Sequence, residues 1–133
     1  MSVDGEVVSS CGPGLAALLG VAVGDTEYSA GRLALKVARL RVFEDDAGRL
    51  DRSLLDVGGE ALVVSQFTLL ADTRKGNRPS FTRAADPVTA ERLYDLFCGE
   101  LGRAGIHVSR GIFGERMTLS LVNDGPVTIV LDG

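Results

Sequence analysis

Imidazole and thiol chemistry are scarce in this chain: 133 residues carry one histidine, His107, and two cysteines, Cys11 and Cys98. The cysteines are far apart and in different contexts, so neither a disulfide framework nor a zinc site is indicated, and buried free thiols are expected. With no cluster of histidine, cysteine and carboxylate, no metal is expected and nothing calls for a cofactor. Long apolar runs are missing too. None approaches the roughly 20 residues that span a bilayer, and the N-terminus lacks the charged-then-apolar order of a secretion signal. The expectation is a soluble, cytoplasmic protein without a membrane partner. Positive charge is in deficit, with 14 Lys and Arg against 18 Asp and Glu and a net charge of −4. That balance excludes broad electrostatic coating of a nucleic acid, which rests on lysines and arginines neutralising phosphates. A local basic patch remains available in Asp72-Thr-Arg-Lys-Gly-Asn-Arg-Pro79, where Arg74, Lys75 and Arg78 surround Gly76.

Side-chain catalysts are equally sparse. A Ser-His-Asp arrangement would have to use His107, and no serine stands in a Gly-x-Ser-x-Gly elbow. The acidic residues fall in turns and at helix starts, where capping accounts for them. Thr68 has no evident activating base to make it a nucleophile.

What is present is a regular alternation of elements. At this length folding buries roughly two-thirds of the extended chain's surface, enough for one core, so the whole chain is expected to form a single domain. The organising stretch is the last, Met117 to Asp132. Met117, Leu119 and Leu121 share one face and Val127, Ile129 and Leu131 another, which predicts two half-buried strands joined at Asn123-Asp124-Gly125-Pro126. Gly125-Pro126 is ordinary turn chemistry. It is also a step able to hold a cis bond cheaply, which would turn two successive carbonyls to one side as a rigid acceptor pair.

Upstream, Asp4-Gly5 signals a two-residue hairpin, and Leu15 to Val23 suits a strand buried on both faces. Asp25 or Thr26 caps a helix whose apolar stripe is Ala30, Leu33, Ala34, Val37 and Leu40. Val42 to Glu44 reads as a strand and Ser53 to Asp56 as irregular. Glu60 to Leu70 reads as one strand, mostly apolar but containing Ser65, Gln66 and Thr68. Polar groups there cost about 1–3 kcal/mol each when left unsatisfied, so they are either partnered by loops or line a pocket. Asp86 and Pro87 open a second helix, burying Val88, Leu93, Leu96, Phe97 and Leu101, and Ile106 to Ser109 is a further strand. The order implies an α+β domain: a largely antiparallel, barrel-like β-sheet with two packed helices.

Two of these stretches carry a resemblance. Ser65-Gln66-Phe67-Thr68-Leu69 and Asn123-Asp124-Gly125-Pro126-Val127-Thr128 resemble the two signature motifs of the D-aminoacyl-tRNA deacylases, enzymes of chirality proofreading. Ala71 to Phe81, Gly111-Ile-Phe-Gly114 and Arg41 to Asp45 follow the same family's pattern in order and spacing. The resemblance implies a homodimer in which Gly125-Pro126 of one subunit enters the partner's pocket, where its carbonyls bind the α-ammonium of the substrate. An L side chain would collide with backbone there, whereas glycine would be admitted, including glycine mischarged on tRNA for alanine. It further implies hydrolysis of the ester at the acceptor end of aminoacyl-tRNA with help from the RNA's own 2′-hydroxyl. By position, Ser65, Gln66, Phe67 and Thr68 would form the catalytic pocket, with backbone N–H groups near Phe67 and Thr68 facing the ester carbonyl. Arg74, Lys75, Gly76, Arg78 and Pro79 would lie against the terminal adenosine.

The sequence departs from the family pattern in two places. The family has a Gln-Arg-Val strand ahead of the residues equivalent to Ser2 to Gly5, which this sequence lacks. Leu50-Asp51-Arg52 stands where Met-Asn-Leu is usual. The first departure sustains a rival expectation, an N-terminally truncated, non-catalytic homologue that binds aminoacyl-tRNA ends. A general esterase using Thr68 is a third.

Overall fold

The computed structural model describes residues 1–133. Turn chemistry sets its beginning. Strands β1 (Ser2–Val3) and β2 (Glu6–Val7) pair antiparallel around Asp4 and Gly5, which hold φ of 50° and 82°, the positive values of a primed two-residue turn. Strand β3 (Gly14–Leu19) follows, then helix α1 (Glu27–Arg39). Thr26 caps α1 in a reciprocal box with Ser29, while the Asp25 carboxylate accepts from the Ala22 N–H at 2.8 Å. Strands β4 (Phe43–Glu44) and β5 (Leu50–Arg52) make a small antiparallel ribbon.

The stretch expected to be irregular holds a one-turn helix, α2 (Leu54–Val57). Ser53 and Asp56 cap each other's backbone, and Gly58 closes the turn at a left-handed φ of 63°. Strand β6 (Glu60–Ser65), helix α3 (Pro87–Arg103) and strand β7 (His107–Arg110) complete the regular elements. Asp86 caps α3 and Pro87 opens it, as the sequence implies.

The sheet differs from the expected one. Strands β3, β6 and β7 form a three-stranded sheet in that order, and both pairings are parallel. The only antiparallel pairings beyond isolated bridges are the two short ribbons, and no closed barrel is formed. The cause is connection length: α1 lies between β3 and β6 and α3 between β6 and β7, and a helical crossover returns the chain to run the same way. The architecture is mixed α and β with three helices rather than two.

The core lies between this sheet and the α1–α3 pair. Ala61 and Val63 of β6 face Leu54, Phe97, Leu101, Ala34 and Ala38. Leu62 and Val64 face the other way, onto Met1 with Cys11, Met117 and Leu119 alongside. So β6 is the strand buried on both faces; β3 is not, and its Leu18 is 45% exposed. On α3 the buried face is Ala90, Leu93, Tyr94, Phe97, Cys98 and Leu101. Val88 points to solvent because it sits in the first turn, beyond the edge of the sheet contacts.

Two strand expectations fail in an instructive way. The run from Glu60 stops pairing at Ser65, and Phe67–Leu70 is a 3-10 turn. Its neighbour β3 ends at Leu19, whose carbonyl accepts from Gln66 N–H at 2.8 Å as the last rung. The chain then folds over Gly20, where any side chain would overlap Leu70 and Leu69. The predicted C-terminal hairpin also forms no ladder. Beyond the bridge between Ser2 and Thr118, residues 119–133 make no hydrogen bond to the rest of the chain.

Phe97 is 1% exposed at the centre of the core, so Phe97→Ala is expected to cost about 3–5 kcal/mol in urea unfolding. Tyr94→Phe, which removes only the 2.6 Å hydrogen bond to the Val63 carbonyl, is expected to cost about 0.5–1.5 kcal/mol.

Candidate active site

Ser65 ends the central strand, so its position is set by the best-packed element of the fold. Gln66 leaves the sheet at φ −139°, ψ 87° and starts the turn. Its side-chain N–H donates to the Thr68 hydroxyl at 2.9 Å, which partners two of the three polar groups of the run with each other. In a 3-10 turn the leading amides have no partner within it, so the N–H groups of Phe67 and Thr68 are the ones the turn leaves to other acceptors. Phe67 is more than half exposed and meets Phe81 edge-on, ring centroids 5.0 Å apart at 70°.

The basic loop runs from this turn and returns beside it. Asp72 and Ser80 exchange both backbone hydrogen bonds, at 2.7 and 2.9 Å, closing the loop at its neck. Gly76, at φ 65°, supplies the left-handed residue of its tip. Arg74 folds back onto Asp72, with Nε and Nη2 donating to the carboxylate at 3.0 and 2.8 Å and its backbone N–H adding a third bond at 3.0 Å. Those bonds hold the Asp72 carboxyl below the usual carboxylate range. Lys75 and Arg78 are exposed and form no ion pair. Arg83 lies beyond the motif residues, and the pairing of Phe81, the last residue of the Ala71 to Phe81 stretch, with Phe67 is a contact that spacing alone does not reveal.

The Gly125-Pro126 bond is cis. The turn around it is held by its own side chains: Val127 N–H donates to Asn123 Oδ1 and Asn123 Nδ2 donates to Thr128 Oγ1, both at 3.0 Å. Within a single chain no hydrogen bond joins this turn to Ser65–Thr68. The arms that carry it are open to solvent, with Val122 91% and Val130 87% exposed.

Other features lie elsewhere. A cavity of about 670 Å³ opens at the N-terminal ends of the parallel strands, between Gly14, Glu60 and His107. Five residues of β6, about 17 Å, separate it from Ser65. His107 sits there 3.7 Å from Glu60, with no serine against it, so the triad arrangement does not form. Both thiols are pushed up, chiefly by burial, which disfavours the thiolate a nucleophile needs. No helix is long and apolar enough to cross a membrane.

The family described as D-Tyr-tRNA(Tyr) deacylase matches residues 1–132 of this chain. The chain belongs to that deacylase family. Curated D-aminoacyl-tRNA deacylases agree. One from Roseiflexus sp. (strain RS-1) is 61% identical over 132 residues, covering 99% of this chain and 85% of the relative. Another from Ruegeria pomeroyi is 54% identical over 132 residues, covering 99% of this chain and 91% of the relative. Deinococcus radiodurans has one that is 53% identical over 131 residues, covering 98% and 90%. A solved structure described as the c-Myc DNA Unwinding Element Binding Protein superposes with a TM-score of 0.93 at 38% identity, covering 99% of this chain and 90% of that one. A probable eukaryotic D-amino acid tRNA deacylase shares the fold alone, with a TM-score of 0.62 at 18% identity over 74% of this chain and 73% of that one. As a deacylase, the chain is a hydrolase.

For this deacylase the raised thiols give a direct expectation. Deprotonation shifted to higher pH leaves less thiolate at any pH below it, so in the native protein at pH about 8 iodoacetamide should label Cys98 slowly, and Cys11 slower than a free thiol. Both should label fully in denaturant, as read by mass spectrometry.

Proposed function

We propose that this protein hydrolyses the ester of D-aminoacyl-tRNA, releasing the free D-amino acid and tRNA, and that its working form is a homodimer. The observation that carries the dimer is the C-terminal arm. Residues 119–133 make no hydrogen bond to the rest of their own chain, and they expose Leu121, Val122, Ile129 and Val130. Unpaired strand edges and contiguous apolar surface of this kind are what a second chain covers.

In the dimer the turn at Gly125 and Pro126 reaches the partner's Ser65–Thr68 turn. Two main-chain carbonyls take the α-ammonium of the substrate in charge-assisted hydrogen bonds, which fixes the α-carbon and leaves no room for an L side chain. Chirality is read by exclusion, so glycine on tRNA for alanine is accepted as well. At the reacting carbonyl, the amides of Phe67 and Thr68 meet the oxyanion as water adds, and the terminal 2′-hydroxyl of the RNA assists proton transfer. The C–O ester bond then breaks and the 3′-oxygen of the ribose leaves with a proton. Positioning and fixed dipoles supply the acceleration, in keeping with a site that has no imidazole or free carboxylate beside Thr68.

Tyrosyl-tRNA of each chirality provides the test. The D-form should be deacylated and the L-form spared, with glycyl-tRNA also cleaved; equal loss of both enantiomers would overturn the assignment. Thr68→Ala should lower kcat by less than about tenfold, short of the 10²–10⁴ that an essential proton-transfer group supplies.

Gly125 gives a sharper probe. It holds φ of 148°, and a Cβ there would come within 2.9 Å of both Val127 Cγ2 and Val127 N. Gly125→Ala must therefore displace the turn, and kcat/KM for D-tyrosyl-tRNA should fall about 10²-fold while the melting temperature of the exposed arm's parent fold holds.

A further inference from the structure

The loop beside the candidate site contains three cations by sequence motif, but their charges are not equally available. Arg74 makes three bonds to one carboxylate, that of Asp72, whose side chain is only 23% exposed while that of Arg74 is 85% exposed. The forked geometry, Nε to one oxygen and Nη2 to the other, is the bidentate form that a phosphate would otherwise occupy. Lys75 and Arg78, on either side of the loop tip, pair with no acid. A fourth cation lies outside the motif. Arg83 is exposed, forms no ion pair, and makes one hydrogen bond, of 3.5 Å, to the Ala71 carbonyl at the loop's neck. It follows Phe81, whose ring abuts Phe67, by two residues, and its charge adds to the Arg74 bonds in holding down the Asp72 carboxyl at the neck of the loop.

We infer that Lys75, Arg78 and Arg83 carry the charge that contacts the phosphates of the RNA end, and that Arg74 is a positioning residue, neutralised by Asp72 and setting the loop's course. The inference rests on the deacylase assignment only for the identity of the ligand. Within the loop the division of labour is electrostatic. A guanidinium already paired with a carboxylate releases little when a phosphate arrives, because exchanging one anion for another leaves no net gain in neutralised charge. An unpaired cation releases a condensed counterion from the RNA, and that release appears as the salt dependence of binding.

Salt dependence is therefore the readout. The probe is a non-aminoacylated RNA hairpin with an acceptor stem and single-stranded 3′ end, titrated by fluorescence anisotropy between about 50 and 200 mM salt. Lys75→Gln, Arg78→Gln and Arg83→Gln should each reduce the slope of log K against log salt by about 0.7–0.9. The double substitution Arg74→Gln with Asp72→Asn, which removes the pair without leaving a bare carboxylate beside Arg83, should leave the slope in place and weaken binding uniformly, by up to about fivefold, as loss of a surface ion pair that orders a loop does. Asp72→Asn should steepen the slope by about the same 0.7–0.9 as it frees Arg74. A flattened slope for the Arg74→Gln, Asp72→Asn double variant, or an unchanged slope for any of the three single cation variants Lys75→Gln, Arg78→Gln and Arg83→Gln, overturns the inference, with melting curves confirming that each variant is folded. The deacylase assignment is tested separately by release of D-tyrosine: wild-type protein that shows these slopes but releases nothing refutes that assignment and leaves the loop assignment standing.

Discussion

The fold depends on one ladder, the parallel pairing of β6 with β3 and β7. Both faces of β6 are covered, by the α1–α3 layer on one side and by Met1, Met117 and Leu119 on the other, so its register leaves no freedom to slip. A slip of one residue would carry Ala61 and Val63 out of the helix-packed face and push Leu62 and Val64 into it. Because the last rung is Gln66 N–H to the Leu19 carbonyl, that fixed register also fixes where the strand ends. The 3-10 turn with its two free amides is therefore a consequence of core packing and not of local preference.

Rigidity at that turn contrasts with the arm that bears Gly125 and Pro126. The turn inherits the stability of the core; the arm has only the two hydrogen bonds of its own asparagine bridge. Such a division suits a site assembled from two chains. One half must hold an ester carbonyl to within a fraction of an ångström, which a buried strand end can do. In the proposed dimer the other half reaches across an interface, and the lack of hydrogen bonds from residues 119–133 to the rest of their own chain leaves their backbone groups available for it. The small bridge from Asn123 to Val127 and Thr128 holds the turn's shape without tying it to the rest of its own chain.

Much of this was legible in the residues, and the limits are physical. Helix starts were readable because caps are local: Thr26, Asp86 and Pro87 act on amides within one turn. The Asp4-Gly5 hairpin was readable for the same reason. Strand direction was not, since the alternation of β3, β6 and β7 is the same whichever way they run, and only the crossovers through α1 and α3 set them parallel. The alternation of Leu119, Leu121, Ile129 and Leu131 predicts half-buried strands, yet Leu121 and Ile129 are more than half exposed and no ladder forms, because a period of two does not name the strand it would pair with. Phe67 to Leu70 reads as strand by composition, and it turns because Gly20 lets it fold over the end of β3. At the site, both motifs stand out by sequence, whereas the pairing of Arg74 with Asp72 and the placement of Arg83 depend on a loop geometry that spacing does not encode.

An acidic protein that handles an RNA end faces a conflict that this arrangement resolves. A net charge of −4 repels a polyanion at long range, which keeps the body of the RNA away. At contact distance the relevant quantity is local, and within a Debye length of about 8 Å a few unpaired cations outweigh a distant net charge. On the proposed assignment, confining those cations to one loop and its flank restricts attraction to the part of the RNA that carries the scissile ester. The ammonium of the aminoacyl group is cationic, so it is drawn away from that loop and toward main-chain carbonyls. In the proposed complex, opposite ends of the same small substrate are sorted by charge before any chiral contact is made, so that a steric test at the α-carbon would act on a ligand already lying in one orientation.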